Sequence, residues 1–268
     1  LKLFAYIAFF LALTTSSLAQ VSDLPPELRD VGIEERLGDK VPFDVTFTNE
    51  NGEQVKLGDF FNSGKPVIIT PIYYECPMLC NLIINGLTDG LKELNWQPGN
   101  QFEIVTFSID PNEGHELAAM KKESYINLLG NQEAASGWHF LTTDQQNIDR
   151  MTETLGFKFK WSEEAQEFLH GSAIMFVSPD GQITRYLYGI EYPQLSLRNA
   201  LFDAAEGKIG TVMDKVVLYC YTYDPDSRSY VASAVNIMKL GGLVTLTGLS
   251  IFLGLLWFRK NTSKTTNV

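Results

Sequence analysis

The chain reads as an α/β protein: a central mixed sheet flanked by helices, with an N-terminal hairpin before it and an apolar helix after it. Three observations lead there. Between Lys65 and Leu155, short apolar runs bounded by turn residues alternate with segments whose apolar residues recur at helical spacing. Two further apolar runs then flank a turn at Ser178-Pro179-Asp180-Gly181, which marks a hairpin, and one more helical segment closes the domain. Strand–helix–strand units followed by a hairpin give a sheet of mixed direction with helices on its faces.

Each element has its own signal. Val41–Phe47 and Glu53–Leu57 flank Asn49-Glu50-Asn51-Gly52, so they form a hairpin turning at Asn-Gly. Lys65–Tyr73, with Pro66-Val67-Ile68-Ile69-Thr70 at its heart, is a buried strand. Asn81–Leu94 places Leu82, Ile83, Leu87, Leu91 and Leu94 at helical spacing. Phe102–Ile109 is a second buried strand ending at Asp110-Pro111, where Asp110 is expected to bind a backbone N–H or cap the next helix. Glu113–Leu129 is a helix and Trp138–Thr142 a third strand; Thr143-Asp144 caps a helix running to Leu155. Ala173–Val177 and Ile183–Tyr188 form the closing hairpin, and Leu195–Glu206 the last helix.

The two ends are a different material. Lys2 precedes an apolar stretch, Leu3–Leu13, and Ser17 and Ala19 are small residues at the −3 and −1 positions of a cleavage after Ala19. Residues 1–19 are therefore expected to be a secretory signal peptide, with an uncleaved anchor as the alternative, and residues 20–37 a linker. Residues 38–208 form the folded domain and 209–239 a membrane-proximal segment. Residues 240–258 carry no charge and, at about 1.5 Å per residue, cover about 28 Å, close to the hydrocarbon thickness of a bilayer. Arg259, Lys260 and Lys264 follow, so the positive-inside rule puts the tail, 259–268, in the cytoplasm and the domain outside. The chain has 32 acidic against 21 basic side chains, a net charge of −11, which argues against nucleic acid as a partner.

The chemistry is concentrated in Tyr73-Tyr74-Glu75-Cys76-Pro77-Met78-Leu79-Cys80, which holds two of the three cysteines directly after a buried strand. Residues i and i+4 share a helix face, so the two thiols can point the same way, and a helix N-terminus favours thiolate over thiol. A purely structural disulfide over so short a loop gains little. Thiol–disulfide chemistry and soft-metal binding remain open. The third partner is sought among His115, His139 and His170, and only His170, read as a loop residue before Ala173–Val177, falls where a thioredoxin-type layout brings a loop against the cysteine pair. Thioredoxin-like reductases keep a cis-proline there, whereas this chain has no proline between Pro111 and Pro179. Two thiolates and one imidazole suit copper, above all Cu(I), with Cu(II) as a second state. Met78 is read as packing, His115 and His139 as a surface and a strand residue, and Cys220 as a free or structural thiol, with an extra ligand or resolving thiol as its alternative.

Cys76-Pro77-Met78-Leu79-Cys80, Phe107-Ser108-Ile109-Asp110-Pro111, His170-Gly171-Ser172 and Ser178-Pro179-Asp180-Gly181, in that order, resemble the SCO/SenC family. These are copper-binding, thioredoxin-fold proteins that assist cytochrome c oxidase assembly. The resemblance implies a thioredoxin-like sheet and copper bound by Cys76, Cys80 and His170. The chain departs from typical members at three points: Leu169 stands where they have Asp, Asn81 where they have Pro, and its apolar span is C-terminal, which suggests a divergent bacterial branch. The expected function is a copper metallochaperone on the outer, periplasmic side of the bacterial inner membrane. Its expected recipient is the copper-bearing subunit of the oxidase or another exported cysteine-containing protein. The second reading makes Cys76 and Cys80 the redox-active pair of a thiol–disulfide oxidoreductase, and a third a copper or redox sensor.

Overall fold

The apolar run before the cysteines forms β4 (Val67–Ile72), every residue of which is buried in the computed structural model; the residues described are 30–76, 79–208, 221–224, 229–232, 241–242, 245–250 and 252–253. A run buried on both faces belongs at the centre of a covered sheet. β4 pairs in parallel with β5 (Glu103–Ser108) on one side and antiparallel with β9 (Ala173–Val177) on the other. β6 (Trp138–Leu141) extends the parallel side and β10 (Ile183–Tyr188) the antiparallel side, giving the order β10-β9-β4-β5-β6. This is the expected mixed α/β sheet of thioredoxin-like type. Its buried polar atoms are paired: the Thr70 and Thr106 hydroxyls meet at 2.6 Å, and Trp138 Nε1 donates to Thr106 at 3.0 Å.

The helices lie between and beside these strands as the spacing predicts: α1 (Leu79–Glu93), α2 (His115–Leu129), α3 (Gln145–Thr154) and α4 (Gln194–Ala205). α1 buries Cys80, Ile83, Ile84, Leu87 and Leu91, one stripe at helical spacing. Gly86 stands inside this helix because the chain passing over it is too close for a side chain: a Cβ there would sit 1.9 Å from the Ile190 carbonyl oxygen. Asp144 caps α3, its carboxylate accepting from the Asn147 N–H at 2.9 Å. The expected N-terminal hairpin is β2 (Thr46–Thr48) with β3 (Gln54–Lys56).

The sequence reading missed a second small sheet. β7 (Phe157–Ser162) and β8 (Glu167–His170) form a hairpin, and β1 (Gly32–Ile33) pairs with β7, giving the order β1-β7-β8. His170 is thus the last residue of a strand, correcting its reading as a loop residue, and β1 lies in the stretch read as linker. The turn of this hairpin places Gln166 in the left-handed region, φ 54°. β11 (Tyr221–Asp224) and β12 (Ser229–Ala232) make a separate antiparallel pair. Residues 241–242, 245–250 and 252–253 are helical; among the described residues no helix is long and apolar enough to cross a membrane. The rest of 240–258, the signal peptide reading at 1–19, Met78, Cys220 and the tail 259–268 lie outside the described residues.

Candidate metal centre

Beyond Ile72 the chain leaves the C-terminal end of the central strand, and the short segment Tyr73–Cys76 is tied down at successive peptide groups. Tyr74, fully buried, donates its hydroxyl to the carbonyls of Leu141 at 2.7 Å and Thr106 at 3.3 Å. The Glu113 carboxylate accepts from the N–H groups of Tyr74 (2.8 Å) and Glu75 (2.7 Å) and from the Ser108 hydroxyl. Burial pushes the Glu113 carboxyl above its ordinary range, opposed by these three donors. Five residues beyond Cys76, Asn81 Nδ2 donates to the Cys76 carbonyl at 2.9 Å, while its Oδ1 accepts from Lys121 (3.4 Å) and Tyr125 (3.3 Å) on α2. Asn81, one of the departures from the typical pattern, is therefore the strap that joins the cysteine turn to the neighbouring helix. Asp110 binds the Asn112 N–H at 2.9 Å, and Gly114, not Asp110, is the N-cap of α2.

This turn delivers the two sulfurs and the imidazole to one point. Cys76, Cys80 and His170 are all buried, and their ligand atoms lie within 4.8 Å of one another. Cys76 precedes α1, so the sulfurs do not converge as an i, i+4 pair on a helix face. Instead the Cys76 side chain folds over the first turn of α1 and accepts the Cys80 N–H at 3.2 Å. It fills one of the four N–H positions that a helix start leaves unpaired. The Cys76 thiol is held well below its ordinary range by hydrogen bonding from Cys80, and further by His170, the Cys80 N–H and Tyr73, with burial opposing them. Burial pushes Cys80 the other way, and the Cys76 sulfur adds to that rise. The two shifts run in opposite directions, toward thiolate at Cys76 and toward thiol at Cys80.

His170 Nε2 stands 3.0 Å from Cys80 Sγ, and its Nδ1 stands 2.9 Å from the Gly171 carbonyl. A carbonyl only accepts, so Nδ1 carries a proton, and Nε2 is the ring nitrogen turned toward the sulfurs. With Leu169 where typical members have Asp, the Gly171 carbonyl orients the ring through Nδ1. Rings wall the site: Phe157 lies 5.6 Å from His170, and Tyr73 stands edge-on to His170 (6.1 Å) and Phe168 (5.3 Å). Two sulfurs and one imidazole, buried among aromatic side chains, are the donor set of a copper site of low coordination number.

The other histidines stay apart, as the sequence suggested. His115 Nδ1 faces Glu116 at 3.4 Å, and His139 Nε2 faces Glu103 at 3.4 Å. The sequence reading missed Tyr73 and Glu113 as parts of the site. Glu113 acts on N–H groups far off in the chain, and Tyr73 reads as an ordinary aromatic residue beside a buried strand.

Fold and site together define a thioredoxin-like protein whose cysteine pair, at the end of the central strand, shares one point with a histidine from a second, smaller sheet. The SCO1/SenC family model matches residues 34–201, and the chain belongs to that family. A SCO1 protein homolog of Bacillus subtilis (strain 168) is 27% identical over 148 residues, covering 54% of this chain and 72% of that protein. A structure of a proposed electron transfer protein from Aquifex aeolicus VF5 is 29% identical with a TM-score of 0.57, covering 64% of this chain and 95% of that one. BsSco, described as having a disulfide switch and as a member of the Sco family of cytochrome c oxidase assembly proteins, aligns with a TM-score of 0.51 at 23% identity, covering 65% and 98%.

Proposed function

We propose that this chain is an exported, membrane-anchored copper metallochaperone for cytochrome c oxidase assembly, holding one copper ion as cargo on Cys76, Cys80 and His170. The observation that carries the reading is the buried Cys–Cys–His group, its ligand atoms within 4.8 Å of one another and Nε2 3.0 Å from Cys80 Sγ. On this reading Cys76 binds as the thiolate, His170 through Nε2, and Cys80 gives up its proton as the metal binds. Family membership supports the oxidase as the destination, through its copper-bearing subunit or another exported cysteine-containing partner. The charge-free stretch 240–258, followed by Arg259, Lys260 and Lys264, supports a single C-terminal span with the domain on the periplasmic side. A reporter fused after residue 268 tests the topology: it is active in the cytoplasm under this reading and active outside if the orientation is wrong.

The thiolate–thiol split favours a second reading as a thiol–disulfide oxidoreductase. Cys76 thiolate attacks a partner's disulfide and forms a mixed disulfide, releasing one partner thiolate. Cys80 then passes its proton to His170 Nε2 and attacks Cys76 sulfur, releasing the second partner thiolate; two electrons move to the partner and Cys76–Cys80 ends oxidised. His170 serves both readings because it touches Cys80, so its replacement alone does not separate them. Copper uptake does: stoichiometric, tight Cu(I) binding by the reduced chain supports the chaperone, and its absence leaves the oxidoreductase.

A further inference from the structure

The sulfurs and the imidazole ride on different sheets: Cys76 and Cys80 follow β4 of the central sheet, whereas His170 ends β8 of the small one. Residues 32–39 begin in the stretch read as linker and brace the two sheets together. At one end Gly32 and Ile33 pair with Lys158 and Phe157 of β7, and the Glu34 N–H donates to the Gly156 carbonyl at 2.8 Å. Next, the Arg36 N–H donates to the Tyr186 hydroxyl of β10 at 3.0 Å, and that hydroxyl donates to the Leu155 carbonyl at 3.0 Å. At the other end the brace runs along the edge of the central sheet. There the Gly38 N–H donates to the Ile183 carbonyl at 2.8 Å, and the Ile183 N–H to the Asp39 carbonyl at 2.9 Å.

The brace brings one apolar side chain to the supports of the ligand. Ile33 stands directly opposite Phe157, so the two side chains share a sheet face, and the Phe157 ring lies 5.6 Å from the His170 ring. Ile33 also closes on the backbone just after the ligand: a Cβ at Gly171 would sit 3.0 Å from Ile33 Cγ1 and 3.2 Å from its Cδ1. The Gly171 carbonyl is the acceptor for His170 Nδ1, at 2.9 Å. Ile33 therefore stands against both supports of the imidazole, the ring beside it and the peptide that fixes Nδ1.

We propose that this N-terminal brace holds the imidazole at the sulfurs, and that Ile33 is a positioning residue of the metal centre, acting through His170. This rests on the reading of His170 as a copper ligand. The cysteine turn is held separately, by Glu113 and Asn81. Removing the Ile33 side chain lets the Phe157 ring and the Gly171 peptide relax into the vacated space. Nε2 then loses its fixed place 3.0 Å from Cys80 Sγ, while the cysteine turn keeps its own bonds. The centre is thus two sulfurs anchored in the main body and one imidazole whose place depends on residues 32–39.

The test is a mutant cycle in the reduced full chain, with Ile33→Ala made both in the wild type and in His170→Ala. Cu(I) affinity, read against a chromophoric chelator, is expected to fall about tenfold in the first background and less than about twofold in the second, because Ile33 acts only through the imidazole. Equal losses in both backgrounds would mean a general loosening of the site and overturn the proposal, as would no loss in either. Ile33→Val removes one methyl group and runs the same cycle if the alanine variant does not fold, with a loss of about threefold expected where His170 is present and none where it is absent. The apo chain gives a readout that needs no copper: the imidazole nitrogen NMR resonances of His170, one of three histidines, assigned by their loss in His170→Ala. They are expected to shift in Ile33→Ala, and unchanged resonances overturn the proposal. If the wild-type chain takes up no copper and these resonances still shift, the chaperone reading fails while the placement of His170 by Ile33 stands.

Discussion

Replacing Glu113 tests whether the cysteine turn is held from α2's leading edge. In Glu113→Ala the N–H groups of Tyr74 and Glu75 lose their acceptor, as does the Ser108 hydroxyl. Each orphaned donor costs about 1–3 kcal/mol where it is buried. Part of this is recovered, because a carboxylate no longer has to be desolvated there. The expected net loss is about 2–4 kcal/mol, or roughly 4–16 °C in Tm for a domain of this size. Glu113→Gln keeps one oxygen as an acceptor and opposes the other N–H with an amide NH₂, so it loses less, about 1–2 kcal/mol. The pH dependence gives a second handle. The folded carboxyl is raised above its unfolded value of 4.5. The native state therefore binds the extra proton, and the stability from this group is fully present below 4.5 and lost as pH rises through the folded value. Urea unfolding of wild type, Glu113→Gln and Glu113→Ala between pH 4 and 8 measures both effects. An alanine variant within about 0.5 kcal/mol of wild type, or a glutamine variant with an unchanged pH slope just above 4.5, would refute the clamp.

Two further outcomes concern the same turn. Asn81→Ala removes the bond to the Cys76 carbonyl and the link to Lys121 and Tyr125; it should cost about 1 kcal/mol and speed alkylation of Cys76, and an unchanged alkylation rate would show that the strap does not hold the turn. Because Cys76 is drawn down and Cys80 pushed up, alkylation by iodoacetamide should map to Cys76 and change less than about twofold between pH 6 and 8; an ordinary thiol slows roughly 80-fold over that range, and such a fall here would contradict the thiolate assignment.

The strands of the central sheet were legible because burial on both faces writes itself as apolar-rich runs, Val67–Ile72 and Glu103–Ser108 with their flanks. The cysteines and His170 were legible by residue type. Phe157-Lys158-Phe159-Lys160-Trp161 carries the period-two alternation of a half-buried strand, and weighing it would have revealed β7 and its partner β8. His170 then would have been placed at a strand end. Glu113 was hidden because a carboxylate opening a helical segment is commonplace; its role comes from two N–H groups 38 and 39 residues away. Asn81 was noticed only as a missing proline, since its partners sit on α2, 40 and 44 residues on. Tyr73 was hidden for the opposite reason: an aromatic residue beside a buried strand is ordinary core, and only its edge-on contact with His170 sets it apart.

Anaerobic titration of the reduced full chain with Cu(I), against a competing chromophoric chelator, bears on the copper site itself, with His170→Ala alongside. The Cys76–Cys80–His170 group predicts one tightly held Cu(I) per chain, and a loss of roughly 100-fold or more in copper affinity when the imidazole is removed. A reduced wild-type chain that leaves all of the copper with the chelator would contradict it.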